Sequence, residues 1–375
     1  MINKTRLIKL TQELIRIDSQ NPGGTEFEIA RFVKRYLENL GLKPKIYEFS
    51  KNRSNCIAVL KGKKNALSLA ITPHLDTVPA GNKWTIAPFK GLIKKNRLYG
   101  LGATDCKSNL AASLEVIRSL VEERCVLNYN LIFAATADEE CGSALGLEAL
   151  LKKGILKPDA ALVLDADDFS IVVSQKGLIQ LKIRLEGRRA HGAYPWLGVN
   201  AIDIALEVIK KIKNYRFSYN KNKYLKGPTI NIGTIKGGDK VNIVADWCEF
   251  ELDIRFLPRD SSKKILRGIS RIIKNNSGKG HIEIEGIQEP FSIDTRHPLV
   301  KYLAQAMKKA GVKPVIEGSE GATTISFFQG CGISSIATGF GTSGCAHIAD
   351  EFVEIDNLYK GARLLEEFLK NYSFV

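Results

Sequence analysis

No uninterrupted apolar run of about 18 residues occurs in this chain of 375, so nothing in it reads as a membrane-spanning helix and no membrane partner is expected. The opening Met-Ile-Asn-Lys-Thr-Arg-Leu-Ile-Lys-Leu threads Lys and Arg through its apolar positions. It offers no long apolar core and no small-residue cleavage site, so it does not read as a secretion signal, and the expected location is the cytoplasm. Cysteines are few: Cys56, Cys106, Cys125, Cys141, Cys248, Cys331 and Cys345. Their number is odd and no two lie within three positions of each other, which argues against a disulfide framework and a zinc ribbon. Internal repeats and low-complexity segments are absent. Acidic residues are in the minority, 40 Asp and Glu against 55 Lys and Arg, for a net charge of +15. The basic residues are mostly lysines spread over the whole chain, with no nucleic-acid-binding module around them. They read as a solvated surface that attracts anionic substrates rather than as a specific nucleic-acid interface.

What is present is an α/β pattern. Helical spacing covers 3–17 and 25–40, with a break at Asn21, Pro22, Gly23 and Gly24. Apolar runs at 45–49, 55–60 and 67–73 read as strands, followed by a helix at 106–122, a strand at 129–136, a helix at 143–153 and a strand at 159–165. From about 175 the order changes to strand 177–187, helix 198–213, strands 228–235 and 247–257, helix 261–275 and strand 281–285. That βαββαβ order is the split ferredoxin-like unit. Helices at 297–310 and 356–371 return to the earlier character. The length exceeds one ordinary core. The expected fold is α/β: a catalytic domain built from 1–174 and 288–375, with a mixed, mostly parallel sheet covered by helices, and a smaller α+β domain inserted at 175–287.

Five features stand at strand ends or in the loops after them, where open α/β sheets place their sites. The first is His74-Leu75-Asp76. Residues i and i+2 of a strand face the same way, so His74 can bind a metal while Asp76 holds its other ring nitrogen; a loop histidine with a chance aspartate is the bland alternative. The second is the run from Tyr99 to Lys107. Its Gly100 and Gly102 suggest a dinucleotide loop, but Asp105 occupies the third glycine position and would repel a pyrophosphate. Asp105 is either a helix N-cap or a metal ligand. The third is Asp138-Glu139-Glu140: adjacent carboxylates that either bind a cation and supply a general base or form a solvated loop. The fourth is Asp165, followed by Asp167 and Asp168, and the fifth is His347. One mixed N/O set of this kind suits zinc, cobalt or manganese rather than calcium. Two such ions about 3.5–4 Å apart can share a carboxylate and activate a water.

In this order the residues resemble the co-catalytic zinc amidohydrolases that include acetylornithine deacetylase, succinyl-diaminopimelate desuccinylase, aminoacylase, carboxypeptidase G and several dipeptidases. The resemblance covers nearly the whole chain. His74-Leu75-Asp76 looks like the family's His-x-Asp motif, Gly100 to Lys107 like its Gly-x-Gly-x-x-Asp-x-Lys motif, and Glu139-Glu140 like its paired glutamate. Asp165 and His347 fall where it has its later ligands. The run from Gly187 to Pro195, with Asn200-Ala201, Val241 to Val244 and Asp253-Ile254-Arg255, resembles its lid domain.

The resemblance implies that Asp105 bridges two divalent ions, with zinc first and cobalt or manganese as alternatives. His74 and Asp165 complete one site, and Glu140 and His347 the other. Asp76 orients His74, and Glu139 is the general base. His191 is an oxyanion donor supplied across a homodimer formed through the lid. Asn242 and Arg255 help bind substrate, unless Arg255 is structural. The substrate implied is a small N-acyl amino acid, the alternative being a short peptide cut by a dipeptidase or carboxypeptidase. Two departures stand out: Thr324 and Ser326 replace a charged pair common in relatives, and Cys345 lies close to His347. His281 and His297 match no motif and read as surface residues.

Overall fold

The computed structural model describes every residue except Gly24, Asn65, Ala166, Asp167 and Gly278, together with all their side chains but that of Ser277. Asp167, which stands beside Asp165 in the sequence pattern, therefore lies outside the described residues. The chain divides into two compact units. One comprises Met1–Val173, Ile293–Glu317 and Thr323–Val375, and the other Ser174–Ser292 with Gly318–Ala322.

The core of the first unit is a mixed sheet in the order Lys45–Ser50, Arg53–Leu60, Asn130–Ala135, Ser68–Pro73, Ala160–Leu164, Ser334–Thr338 and Ser170–Gln175, the last being the strand along which the chain leaves this unit. The four strands from Asn130–Ala135 to Ser334–Thr338 are parallel to one another, and the outer pairs are antiparallel. Ala160–Leu164 is buried at every position and Ser68–Pro73 at all but its first. That is why these segments read as unbroken apolar runs: central parallel strands are covered on both faces. The helix Lys107–Glu122 is buried on nearly all sides and packs against the helices Lys4–Arg16 and Ile355–Asn371. Even its Glu115 is fully buried, paired with Arg6 at 2.7 Å.

The second unit is a four-stranded antiparallel sheet in the order Thr229–Gly237, Trp247–Phe256, Gly177–Glu186, Gly280–Gln288. Its strands alternate strictly between buried and accessible positions along Gly177–Glu186 and Trp247–Phe256. The helices Ala201–Lys213 and Ser262–Ser277 cover one face, with Val208, Ile212, Ile265 and Ile269 packed on Ile179, Leu181, Phe250 and Leu252. The ferredoxin-like order legible in the sequence is the order found. The segment Gly318–Ala322 also belongs to this unit. Lys176 N–H donates to Ser319 O at 3.1 Å, and a Cβ on Gly318 would lie 2.6 Å from a Leu225 methyl. A backbone pairing of this kind leaves no periodicity in the sequence.

Two local expectations are corrected. The helix expected over 143–153 is confined to Leu147–Lys152. A Cβ at Gly146 would lie 1.8 Å from Ala137 O, and Leu145 N–H donates to the Asp138 carboxylate at 2.9 Å, so 143–146 stay a turn. His297 is half-buried rather than on the surface, and its Nδ1 caps the helix Pro298–Lys309 by accepting from Leu299 N–H at 3.2 Å. His281 is exposed. The short strands Leu92–Lys94, Arg97–Tyr99 and Phe352–Glu354 form a third sheet that the sequence pattern did not show, because three residues are too few to display a period. Among the described residues no helix is long and apolar enough to cross a membrane.

Candidate metal centre

The parallel strands deliver the candidate residues to one edge of the first unit's sheet. His74 directly follows Ser68–Pro73, and Asp165 directly follows Ala160–Leu164, its N–H held by Thr338 O at 3.0 Å. Glu139 and Glu140 sit in a turn after Asn130–Ala135, entered through Asp138 in the left-handed region at φ 64°. Asp105 immediately precedes the helix Lys107–Glu122, across a cis peptide to Cys106. His347 lies in the loop before Phe352–Glu354, with φ 61°.

Two sets of three donors form there, and they share one residue. His74, Asp105 and Asp165 each offer an atom within 4.8 Å of the others, and so do Asp105, Glu140 and His347. Asp105 faces both sets: Oδ1 lies 2.9 Å from His74 Nε2, and Oδ2 lies 3.2 Å from His347 Nε2. His74 Nε2 is also 3.6 Å from Asp165 Oδ1, and His347 Nε2 is 3.2 Å from Glu140. Neither set includes Cys345. Cys106 is buried beneath the site, with its thiol 3.3 Å from Leu164 O and its pKa pushed up to about 11 by burial, so it is a neutral packing group.

The charge balance tests whether this cluster fits metal. Asp105, Glu139, Glu140 and Asp165 are four carboxylates against two imidazoles. Two unit charges about 4 Å apart repel by about 4 kcal/mol at an effective dielectric of ~20, so such a group needs cations. The titration behaviour says the same. Burial, and then the neighbouring Asp165, pushes Glu139 well above the usual carboxylate range; burial likewise raises Glu140 and Asp165. Burial works against a charged His74, yet the anionic groups around it hold it well above its ordinary value. Hydrogen bonds to Asp105 and then Glu140 raise His347 to about 10. Protons on the two histidines thus occupy the place where the donor geometry suits two divalent cations.

The surrounding residues orient the donors. His74 Nδ1 lies 3.0 Å from the main-chain oxygen of Asp76, which only accepts. Nδ1 therefore keeps a proton throughout, and it is the proton on Nε2, directed at Asp105 and Asp165, that a metal ion would replace. The Asp76 carboxylate is 3.6 Å from that ring nitrogen. It is committed instead to the N–H groups of Glu139 and Glu140, each at 3.1 Å, and to Asn21 Nδ2 at 2.9 Å. Asp76 so ties the histidine loop to the glutamate turn.

That turn has a second anchor absent from the sequence reading. Arg53 lies 2.8 Å from Glu26 and 2.5 Å from Asp138, and Glu26 also accepts from Asp138 N–H at 3.1 Å. All three side chains are buried or nearly so, and they converge from a helix, a strand and a loop. No local spacing could have paired them. Glu351 is a further such residue: its buried carboxylate accepts from Gly102, Thr104 and Asp105 N–H. Lys107 is fully buried, donates to Ile17 O at 2.7 Å and is lowered to about 7 by burial.

Thr324 and Ser326 are also buried, at the start of the short helix Ile325–Gly330. On the second unit, an isolated bridge joins His191 to Ile243, and Gly192 N–H donates to Asn242 O at 2.8 Å, which sets the exposed His191 and Asn242 side by side. A Cβ at Gly192 would lie 2.9 Å from the Asn242 carbonyl carbon, so glycine is needed for the approach. His191 Nδ1 accepts from Ala193 N–H at 3.0 Å, which leaves a proton on Nε2 facing outward. Arg255 forms a two-point pair with Asp253 at 2.7 and 3.0 Å, so its guanidinium is already engaged within this unit.

Residues 70–371 match the model of peptidase family M20/M25/M40. An acetylornithine deacetylase from Edwardsiella ictaluri is 28% identical over 90% of this chain and 88% of its own. A protein from Staphylococcus aureus named probable succinyl-diaminopimelate desuccinylase is 26% identical over 96% of each. The crystal structure of a tripeptidase, also from Staphylococcus aureus, superposes with a TM-score of 0.83 at 26% identity, over 99% of this chain and 98% of that one.

Removing Arg53 leaves Glu26 and Asp138 as buried unpaired carboxylates. Arg53→Ala is expected to lower stability by about 3–5 kcal/mol, measured as the change in denaturant unfolding free energy.

Proposed function

Because the chain belongs to peptidase family M20/M25/M40, whose members hydrolyse amide or peptide bonds, we propose that it is a two-metal deacylase that releases the acyl group from an N-acyl amino acid. The observation that carries the chemistry is the pair of donor sets joined at Asp105, with Glu139 next to Glu140 in the turn that supplies one of them. His74, Asp105 and Asp165 would hold one divalent ion and Asp105, Glu140 and His347 the other, zinc being the first choice for this N/O set and cobalt or manganese the alternatives. When bound, such a pair of ions polarises the scissile carbonyl and lowers the pKa of the attacking water.

The rest is the work of side chains. Asp76 keeps His74 and the glutamate turn in register. Glu139, whose buried carboxylate is held well above its usual range, takes the proton of the attacking water and returns it to the departing nitrogen. His191, with its outward Nε2–H, donates to the oxyanion as the carbonyl is attacked. Asn242 beside it contacts the substrate, whereas Arg255, engaged by Asp253, supports the lid sheet. We assign the second unit as a lid that also forms a homodimer, with His191 acting in the partner's site.

Deacylation is favoured over peptide cleavage by charge. An N-acyl amino acid with a neutral or acidic side chain is an anion, whereas a free peptide of such residues keeps an ammonium group, and a chain of net charge +15 attracts the anion. The whole-length similarity to a deacetylase points the same way. Exopeptidase activity is the second reading, favoured by the likeness to the tripeptidase structure.

Three measurements test these assignments. With zinc or cobalt added, N-acetyl and N-succinyl amino acids should be turned over faster than di- and tripeptides; a preference for peptides would select the second reading. Glu139→Gln should retain both metals by elemental analysis yet lose roughly 10²–10⁴-fold in kcat; wild-type turnover would remove Glu139 as the base. His191→Ala should be nearly inactive, and mixing it with Glu139→Gln should restore activity through hybrid dimers. Failure to complement would place His191 in its own subunit's site.

A further inference from the structure

Asp105 has a task no other ligand shares, on the two-metal reading proposed above. It must aim one oxygen at each donor set simultaneously, Oδ1 at 2.9 Å from His74 and Oδ2 at 3.2 Å from His347. Turning the carboxylate to serve one set better withdraws it from the other. Its direction is set by the backbone of 102–106, and three N–H groups of that backbone are gripped from one place. The Glu351 side chain, 1% exposed, accepts N–H bonds from Gly102 at 2.8 Å, Thr104 at 2.7 Å and Asp105 at 3.0 Å.

The main chain around it reinforces the grip. Gly100 N–H donates to Glu351 O at 2.9 Å, and Thr104 Oγ1 donates to Phe352 O at 2.7 Å. Three N–H bonds converging on one buried carboxyl group hold the segment from Gly102 to Asp105 at three points, which makes a stiff clamp. Glu351 belongs to neither donor set. It stands four positions after His347, in the same segment.

We propose that Glu351 is a positioning residue that holds Asp105 in its bridging orientation, and that it thereby couples the two metal sites: the segment that supplies His347 to one ion also fixes the ligand that both ions share. A plain folding role would predict a general loss of stability. The coupling predicts a selective loss of the second ion. Glu351→Gln is nearly isosteric, but its amide NH2 would face a backbone donor in place of an acceptor. The loop then relaxes, and Asp105 can satisfy one donor set but not both.

The experiment is a calorimetric titration of metal-free wild type and E351Q with Co2+, with circular dichroism and thermal unfolding of each metal-free form alongside. Wild type should take up two ions. E351Q should keep its fold and its first ion, and bind the second roughly 10–100-fold more weakly, the loss usual for a residue that orients a ligand. Glu351→Asp, which keeps the charge but draws it back by one methylene, should fall between them. Two ions bound by E351Q with wild-type affinities would overturn the proposal. So would an equal weakening of both ions, or an E351Q chain that failed to fold, since the carboxylate would then serve the core rather than Asp105. A wild type that bound a single ion would instead refute the two-metal reading, and so the two failures are distinguishable.

Discussion

Four carboxylates, Asp105, Glu139, Glu140 and Asp165, crowd one sheet edge together with the two imidazoles of His74 and His347. Such a cluster is unfavourable by itself, and each of its members must be restrained by something that does not belong to it. Much of the first unit supplies that restraint. The parallel strands end at His74 and Asp165 because their buried apolar residues settle how far each strand reaches. The helix Lys107–Glu122 starts two residues after Asp105, with Cys106 as its N-cap, and packs against other helices, so the loop before it has little freedom. The energetic cost of the site is offset by the core beneath it, and cations at the donor sets relieve the repulsion that remains.

The restraints are themselves arranged as a chain of buried ionic groups. Asp76 links the His74 loop to the N–H groups of Glu139 and Glu140, and Asn21 links Asp76 to the N-terminal segment. Arg53 and Glu26 fasten Asp138, at the entry to the glutamate turn. Glu351 fastens the Asp105 loop. Each anchor reaches a segment distant from it in the sequence, Asp76 the glutamate turn, Arg53 the Asp138 corner and Glu351 the Asp105 loop. Apart from the Asn21 amide, each is a carboxylate or a guanidinium with several partners, as a buried charge must have. A lone neutral hydrogen bond, worth about 1 kcal/mol net, would not resist carboxylates repelling one another by several times that.

The second unit follows a different logic. Its strands alternate strictly, its two helices seal one face, and the functional candidates His191 and Asn242 are exposed on loops. Precision there comes from backbone approach rather than from buried charge. Gly192 allows the Asn242 carbonyl to come close, and Ala193 N–H selects the His191 tautomer. Arg255, read from sequence as a substrate ligand or a structural residue, is drawn to Asp253 because the two side chains share a face of one strand.

Everything that depends on local order and spacing could be read along the chain. The βαββαβ unit was legible because alternating strands and amphipathic helices carry their own period. The candidate ligands His74, Asp105, Glu139, Glu140, Asp165 and His347 were legible because each follows a strand or opens a helix in a recognisable run. The tertiary structure alone decided the rest. It decided that Asp105 faces both donor sets, that the Asp76 carboxylate serves the glutamate turn more closely than the imidazole, and that Arg53, Glu26 and Glu351 belong to the site. It also decided that Gly318–Ala322 joins the second unit and that the helix after Glu140 begins only at Leu147. The reason is physical. Propensity and periodicity act over a few residues and are written along the chain, whereas a buried charge must find its partner wherever folding brings one, here across 246 positions from Asp105 to Glu351.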